Sequence, residues 1–351
     1  ERIKELNPTA DIHLFGQEVN DETWAVTMSD MLINNPSGRD ADNISLGSVL
    51  SEDAHSSKRS DYLIANPPYG KDWKGDRAAV MAESELGYGG RFGAGTPRVS
   101  DGQLLFLQHM LNRMKSPKEG GGRIAIVMNG SPLFTGDAGG GESEIRRWIF
   151  ENDWLEALIE LPGQIFYNTG ITTYIWVLTN RKPAERKGKV QLINASDYWV
   201  PMRKSLGNKR REISEEHIEQ IMQLFHDFKE GENVKLFKTT DFAFRKITVE
   251  RPLQLNFHAS PERIERLKDQ KPFAKLDESE QARIITALRT LPDQQYDNRP
   301  EFMKLADNAL KAAGVKPSAT IRKVIVNALS ERDEEAQVCT VQREDHSEIR
   351  R

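Results

Sequence analysis

Along the first 200 residues, short apolar runs alternate with stretches whose apolar positions recur at helical spacing. Asp11 to Phe15 is a short run that stops at Gly16, and Trp24, Met28, Met31 and Leu32 then mark one face of a helix. Ile44 to Leu46 and Tyr62 to Ala65 read as further strands, the latter running straight into Asn66-Pro67-Pro68-Tyr69-Gly70. Leu104, Leu105, Leu107, Met110, Leu111 and Met114 have the 3.6-residue period of a core-facing helix. Gly120-Gly121-Gly122 ends it, and Arg123 to Met128 reads as a fully buried strand. A helix near Glu142 to Glu151 precedes three strand-like segments, Leu155 to Leu161, Tyr174 to Leu178 and Val190 to Ile193. Strands alternating with helices predict an α/β fold with a mostly parallel sheet covered on both faces. The last strands follow one another without a helix, which predicts an antiparallel edge.

The texture changes near Pro201. Helical patterns cover Ile213 to Phe228, Pro261 to Lys268, Glu280 to Leu291, Pro300 to Ala313 and Ser318 to Glu334. Three parts are expected: a domain over 1–200, a basic connecting segment over 201–260, and a mainly helical C-terminal region over 261–351, a candidate for subunit contact. The acidic run Glu331 to Glu335 reads as a solvated face.

Composition narrows the class. The apolar fraction of 38% in 351 residues is low, so part of the surface is expected to be solvated or to meet a partner. No run of about 18 apolar residues exists, and the first residues have no secretory h-region. A single cysteine, Cys339, excludes a disulfide framework and a multi-cysteine zinc site. A cytoplasmic protein without a metal or a membrane span is expected.

The candidate chemistry sits at Asn66-Pro67-Pro68-Tyr69, just beyond a parallel strand, where open α/β sheets place their ligands. Two prolines fix φ near about −65° and force Asn66 into an extended conformation, making a stiff turn. Its amide oxygen and the Pro67 carbonyl are each suited to accept one hydrogen of an exocyclic amine, with Tyr69 stacked on the ring. A rigid strand end is the competing reading, since Asn, Pro and Gly are ordinary turn residues.

This tetrapeptide resembles the catalytic motif of S-adenosylmethionine-dependent amino methyltransferases. Further stretches are similar to the modification (M) subunit of type I restriction-modification systems: Gly16-Gln17-Glu18, Ser100 to Phe106, Gly121 to Val127, Leu161 to Ile171, Arg203 to Arg211 and Ala328 to Glu334. The resemblance spans nearly the whole chain. It implies a Rossmann-like methyltransferase sheet, S-adenosylmethionine as cofactor, and transfer to the N6 of adenine in double-stranded DNA. It also implies as partners a specificity (S) subunit, a second copy of the M subunit and, in some assemblies, a restriction (R) subunit. By resemblance, Asn66, Pro67 and Pro68 hold the adenine amine, Tyr69 and Phe166 form two aromatic walls, Glu18 accepts from the cofactor ribose, and Asn66 also borders the cofactor. Ser48 stands where an acid often meets the cofactor adenine, with Asp42 and Asp53 as possible substitutes.

The chain departs from the family in one respect. No glycine precedes Gly16, so the Gly-rich cofactor loop and first strand are not visible, and the chain reads as the central portion of a longer protein that by itself would bind cofactor poorly. That leaves a catalytically inactive scaffold subunit, and protein glutamine methylation with a similar tetrapeptide, as alternatives. Two glycine clusters, Gly87 to Gly93 and Gly136 to Gly141, read as mobile loops, the first placed to close over DNA or cofactor.

Net charge is −4, but Arg181 to Arg211 holds ten basic residues against two acidic, a local charge of +8. Its Lys182, Arg186, Lys187, Lys204, Lys209, Arg210 and Arg211 are the candidate DNA-phosphate contacts, with salt-sensitive affinity expected. A solvated hairpin and loop is the competing reading.

Overall fold

In the computed structural model, residues 2–34, 38, 40–342 and 347–349 are described. The alternation read from the sequence gives, in chain order, α1 (Arg2–Leu6), β1 (Gly16–Glu18), α2 (Asp21–Asn34), β2 (Ile44–Leu46), β3 (Tyr62–Ala65), α3 (Arg77–Glu85), α4 (Gln103–Arg113) and β4 (Arg123–Asn129). There follow α5 (Ser131–Phe134), α6 (Gly141–Glu151), β5 (Leu155–Glu160), β6 (Thr173–Thr179), β7 (Lys189–Asn194), β8 (Val200–Leu206), β9 (Lys209–Glu212), α7 (Glu215–Asp227) and β10 (Val234–Lys238).

Six strands form one sheet in the order β10-β7-β5-β6-β4-β3. β3 runs parallel to β4, and β5 to β7. β10 supplies an antiparallel edge, and β6 runs antiparallel to both β4 and β5 in the interior. β1 and β2 make a separate parallel pair. On the other edge, β3 leaves Tyr62 and Ile64 72% and 83% exposed.

Both faces of the sheet are covered over its interior strands. Leu104, Leu107 and Leu111 of α4 and Ile145 and Ile149 of α6 pack with Ile124, Ile126 and Met128, which alternate along β4 as a half-buried strand requires. Ile221 and Phe225 of α7 pack with Ala157, Ile159 and Ile193. At about 25 cal/mol per Å², burying each such side chain stabilises the fold by roughly 1.5 to 3 kcal/mol.

The register decides which loops share an end of the sheet. β3 leaves at Ala65 opposite Ile126, so the Asn66 turn lies toward the Asn129 end of β4. β6 enters there, with Thr173 opposite Asn129, and leaves at Thr179 opposite Arg123. The loop after β5 and the chain after β7 return to the Asn129 end, since Glu160 pairs with Tyr174 and with Asn194.

Close contacts divide the chain into two units, Glu1–Lys246 and Ile247–Arg351. This differs from the expected divisions at 200 and 260. Residues 201–246 belong with the first unit because β10 completes its sheet and α7 covers it. The second unit holds β11 (Leu255–Phe257), α8 (Pro261–Glu265), α9 (Lys271–Ala274), α10 (Glu278–Leu288), α11 (Arg299–Ala312), α12 (Ala319–Leu329) and β12 (Ser330–Arg332) around Phe257, Phe273, Leu288, Phe302 and Leu329. The helix expected to run to Glu334 stops at Leu329, where the chain turns extended and pairs with β11. The acidic run is tied down rather than merely solvated: Glu331 accepts from Arg263 and Arg266 at 2.6 Å each, and Asp333 accepts from Asn256 at 3.0 Å.

Among the described residues no helix is long and apolar enough to cross a membrane, and no group of three or more His, Cys, Asp or Glu is placed to hold a metal.

One buried side chain joins α4 to the end of β4. Gln103 Oε1 accepts from the Asn129 N–H at 3.0 Å, while its Nε2 donates to Asp101 and Asn129 side chains at 2.8 and 3.0 Å. Gln103→Ala strands these groups away from water and is expected to lower stability by about 1 to 3 kcal/mol in urea unfolding. A loss below about 0.3 kcal/mol would show that water satisfies them instead.

Candidate cofactor and target-base site

Pro67 and Pro68 carry no N–H, so the turn after β3 takes its shape from fixed φ angles and from side chains. The Tyr69 hydroxyl donates to Asn66 Oδ1 at 2.6 Å, bracing the turn across its ends. Burial pushes the Tyr69 phenol up to about 12, so it stays protonated and donating at any ordinary pH. Beyond the turn, the Lys71 carbonyl accepts from Gly102 at 3.2 Å and the Trp73 indole donates to the Arg98 carbonyl at 3.0 Å. Phe166, in the loop after β5, meets Tyr69 edge to face, with centroids 6.3 Å apart and planes at 71°. The two rings touch each other and leave no base-wide slot between them.

Asn66, Pro67 and Pro68 line a cavity of about 460 Å³ that Glu18 and Ser48 line as well. Glu18 ends β1, and its Oε1 accepts from the Asn20 N–H at 2.7 Å. Among the described residues its Oε2 has no partner. Ser48 follows Gly47, whose N–H donates to the Glu18 carbonyl at 2.9 Å, so the two residues are held side by side. Gln17 fixes the loop beyond: it donates to the Glu52 carbonyl at 2.7 Å and accepts from Ala54 at 3.1 Å. Asp42 does not line the cavity, whereas Asp53 does. Asp53 is buried and ion-paired with Arg113, which commits it to structure rather than to a ligand.

Arg91 has no counterpart in the sequence reading. It lies in the first glycine cluster, expected to be mobile, yet Arg91 and Phe92 are buried. Its guanidinium donates to Glu83 on α3, to the Val49 and Leu50 carbonyls at 2.6 and 3.0 Å, and to His109 Nδ1 at 3.1 Å. Gly93 permits this packing, since a Cβ there would stand 2.1 Å from the Gly87 carbonyl oxygen. The only hint in the sequence is an arginine beside an aromatic inside a glycine run. The second cluster is also pinned: Glu142, at the start of α6, accepts from the Arg98 N–H at 3.0 Å.

The basic segment is split by the sheet. Lys182, Arg186 and Lys187 lie between β6 and β7, at the Arg123 end, which about 3.3 Å per residue over β4 puts roughly 20 Å from the Asn66 turn. Lys182 is buried, donating to Asp153 at 2.5 Å and to the Lys189 carbonyl at 2.8 Å. Arg186 is buried between the Phe225 and Phe228 rings and pairs with Glu156 at 3.6 Å. Lys182 and Arg186 are therefore corrected from phosphate contacts to structural groups, and Lys187, though exposed, stands at the wrong end. Lys204, Lys209, Arg210 and Arg211 lie on the β8–β9 hairpin, beyond the end of the sheet that carries Asn66.

This site belongs to a known sequence class. The model of the family described as N-6 DNA Methylase matches residues 2–255. The chain belongs to the N-6 DNA methylase family. Among its relatives, the type I restriction enzyme MjaIX methylase subunit of Methanocaldococcus jannaschii is 25% identical over 238 residues, 68% of this chain and 39% of that one. The HindI methylase subunit of Haemophilus influenzae is 32% identical over 188 residues, 53% and 38% of the two chains. The crystal structure of a type I restriction-modification methyltransferase subunit from Streptococcus thermophilus is similar with a TM-score of 0.53 at 25% identity, covering 65% of this chain and 45% of that one. The N-6 DNA methylase chain thus spans about two fifths of the length of these curated relatives, and its sheet is similar to that of the Streptococcus thermophilus methyltransferase subunit.

The cluster behind the cavity has a pH signature. Burial, with the Arg91 and Arg113 charges assisting against Asp53, lowers His109 to about 4, so it is neutral in the folded protein. The unfolded chain binds the proton at about 6.5. Stability from this group is therefore complete above about pH 6.5 and is lost as pH falls toward 4, by up to about 1.4 kcal/mol per pH unit. His109→Gln is expected to flatten the stability–pH curve between 6.5 and 4, measured by urea unfolding. An unchanged slope would place the titration elsewhere.

Proposed function

We propose that this chain carries the catalytic core of a DNA adenine-N6 methyltransferase, as the modification subunit of a type I restriction-modification complex. The observation that carries the reading is that Asn66, Pro67 and Pro68, in a turn braced by Tyr69 from outside, line the same cavity as Glu18 and Ser48. A cavity of about 460 Å³ suits a nucleoside-sized ligand, within the usual range of about 300 to 1,000 Å³. Glu18 would accept from the ribose hydroxyls of S-adenosylmethionine, with Ser48 beside its adenine. Bound there, the cofactor supplies a methyl group on a positively charged sulfur, already open to attack by an amine.

The chain's own task is positioning. A duplex base must leave the stack before its amine can reach the cavity, and is then held by stacking and edge hydrogen bonds. Asn66 Oδ1 and the Pro67 carbonyl would accept the two amine hydrogens, turning the nitrogen lone pair toward the methyl carbon. Tyr69 and Phe166 would hold the ring faces, each stack contributing about 1 to 3 kcal/mol. Asn66 and the Pro67 carbonyl would keep the amine on that line through the transfer, and the proton it releases would pass to water. The basic hairpin favours DNA over a protein amide, with Lys204, Lys209, Arg210 and Arg211 near the backbone of the target strand. A specificity subunit, a second modification subunit and a restriction subunit would complete the assembly, with the Ile247–Arg351 unit offered to subunit contact.

Asn66→Ala is expected to reduce labelled-methyl transfer from S-adenosylmethionine to unmethylated plasmid DNA by about 100-fold or more, with the melting temperature almost unchanged because Asn66 is exposed. Full retained transfer would overturn the assignment. Tyr69→Phe removes the donor to Asn66 but keeps the ring, so a loss of roughly tenfold or less is expected; abolition would give the hydroxyl a role in the chemistry.

A further inference from the structure

Phe166 sits in a turn that is bonded on both flanks to the β8–β9 hairpin. Two residues before it, the Gln164 carbonyl accepts from the Arg210 and Arg211 N–H groups at 2.9 and 3.2 Å. One residue after it, the Tyr167 carbonyl accepts from the Asn208 N–H at 3.0 Å. Gln164 itself holds a left-handed conformation with φ of 63°, which a non-glycine residue adopts only at a cost of about 1 to 2 kcal/mol. The shape of this turn is therefore imposed from outside.

The hairpin that imposes it is weak on its own. β8 and β9 form a two-stranded sheet that joins no other strand among the described residues, and their register shifts between Pro201 and Leu206. Such a ribbon is marginally stable in water unless something else packs on it. Arg203, Lys204 and Arg210 are exposed, and among the described residues none of Arg203, Lys204, Lys209, Arg210 and Arg211 forms an ion pair with an acidic group. Arg211 lies 3.8 Å from the Trp199 ring centroid. Five uncompensated positive charges therefore ride on a loosely held element, and that element carries the hydrogen-bond donors that shape the Phe166 turn.

We infer that the hairpin is a positioning element: nucleic-acid phosphates gripped by Lys204, Lys209 and Arg210 fix it, and its main-chain hydrogen bonds then set the Phe166 ring against the target base. The inference rests on the proposed methyltransferase function and adds to it a mechanical link between backbone binding and base capture. Gln164, Gly207 and Asn208 become positioning residues, although none of them touches the base.

Gly207 at the hairpin tip offers the test, because a Cβ there would stand 2.9 Å from the Tyr167 oxygen and 3.3 Å from its ring, at a φ of 57°. Gly207→Ala wedges the hairpin from the turn without changing any charge. Asn208→Pro deletes the hydrogen bond to Tyr167 without adding a Cβ at the tip, and decides the matter if the first variant does not fold. The full-length chain in its native complex is assayed with labelled S-adenosylmethionine and unmethylated plasmid DNA. The slope of log binding constant against log salt is measured on the same DNA. Both variants are expected to lower kcat by roughly tenfold to 100-fold, as misplacement by about 1 Å does, with KM for DNA and the salt slope unchanged. Lys204→Ala with Arg210→Ala is expected to reduce the slope by about 2 and to lower kcat as well. Unchanged kcat in the folded tip variants overturns the coupling alone, as does a loss confined to KM and salt slope. No transfer by the unaltered complex overturns the methyltransferase reading and the coupling with it.

Discussion

A turn with consecutive prolines lacks two main-chain donors, so nothing in its own backbone can hold it as a helix or ladder would. The site depends on how that deficit is met. Fixed φ angles stiffen the turn, the Tyr69 hydroxyl closes it on Asn66, and β3 delivers it by parallel pairing with β4. Downstream, the Lys71 carbonyl anchors it to Gly102 at the start of α4, Trp73 anchors it to Arg98 in the loop before, and Gln103 anchors α4 to the end of β4. The turn is thus held by a ring of contacts that starts and ends on the same pair of strands.

Much of this could be read from the sequence because it is local. Periodicity exposed β3, α4 and β4, and a strand running into two prolines marked the turn. The place of Glu18 came from resemblance and not from periodicity: the strand expected over Asp11 to Phe15 forms instead at Gly16–Glu18, where the apolar run has already ended and only pairing with β2 marks it. What could not be read is direction. Ten basic residues look like one patch along the chain, but β6 runs antiparallel, so the loop after it emerges at the far end and only the hairpin half returns. Charge counting has no access to strand polarity. The expected boundary near 200 missed β10 for a related reason: its partner β7 lies about forty residues away, and pairing at that distance leaves no local trace.

Glycine clusters misled in the opposite sense. Runs such as Gly87 to Gly93 suggest freedom, yet glycine also allows backbones to approach where no side chain fits. Arg91 uses that space to bind Glu83, two loop carbonyls and His109 at once. A guanidinium with fixed, forked donors suits this, whereas a lysine would supply charge without the geometry. One side chain therefore sets the spacing between the helix after the Asn66–Tyr69 turn and the loop carrying Ser48.

The contacts of Tyr69 bear on discrimination. Its hydroxyl donates to Asn66 Oδ1 and its ring meets Phe166 edge to face, so the amide and the two rings are held by one another. On the proposed reading an incoming base would offer an amine hydrogen to the second lone pair of the Asn66 oxygen and a π face to rings that meet edge to face, leaving the Tyr69 brace in place. Thymine has the face but no exocyclic amine, and an extruded sugar without its base has neither. On that reading one hydroxyl both stiffens the turn and leaves a single acceptor site on the amide, so that a flat ring is sorted by whether it brings an amine.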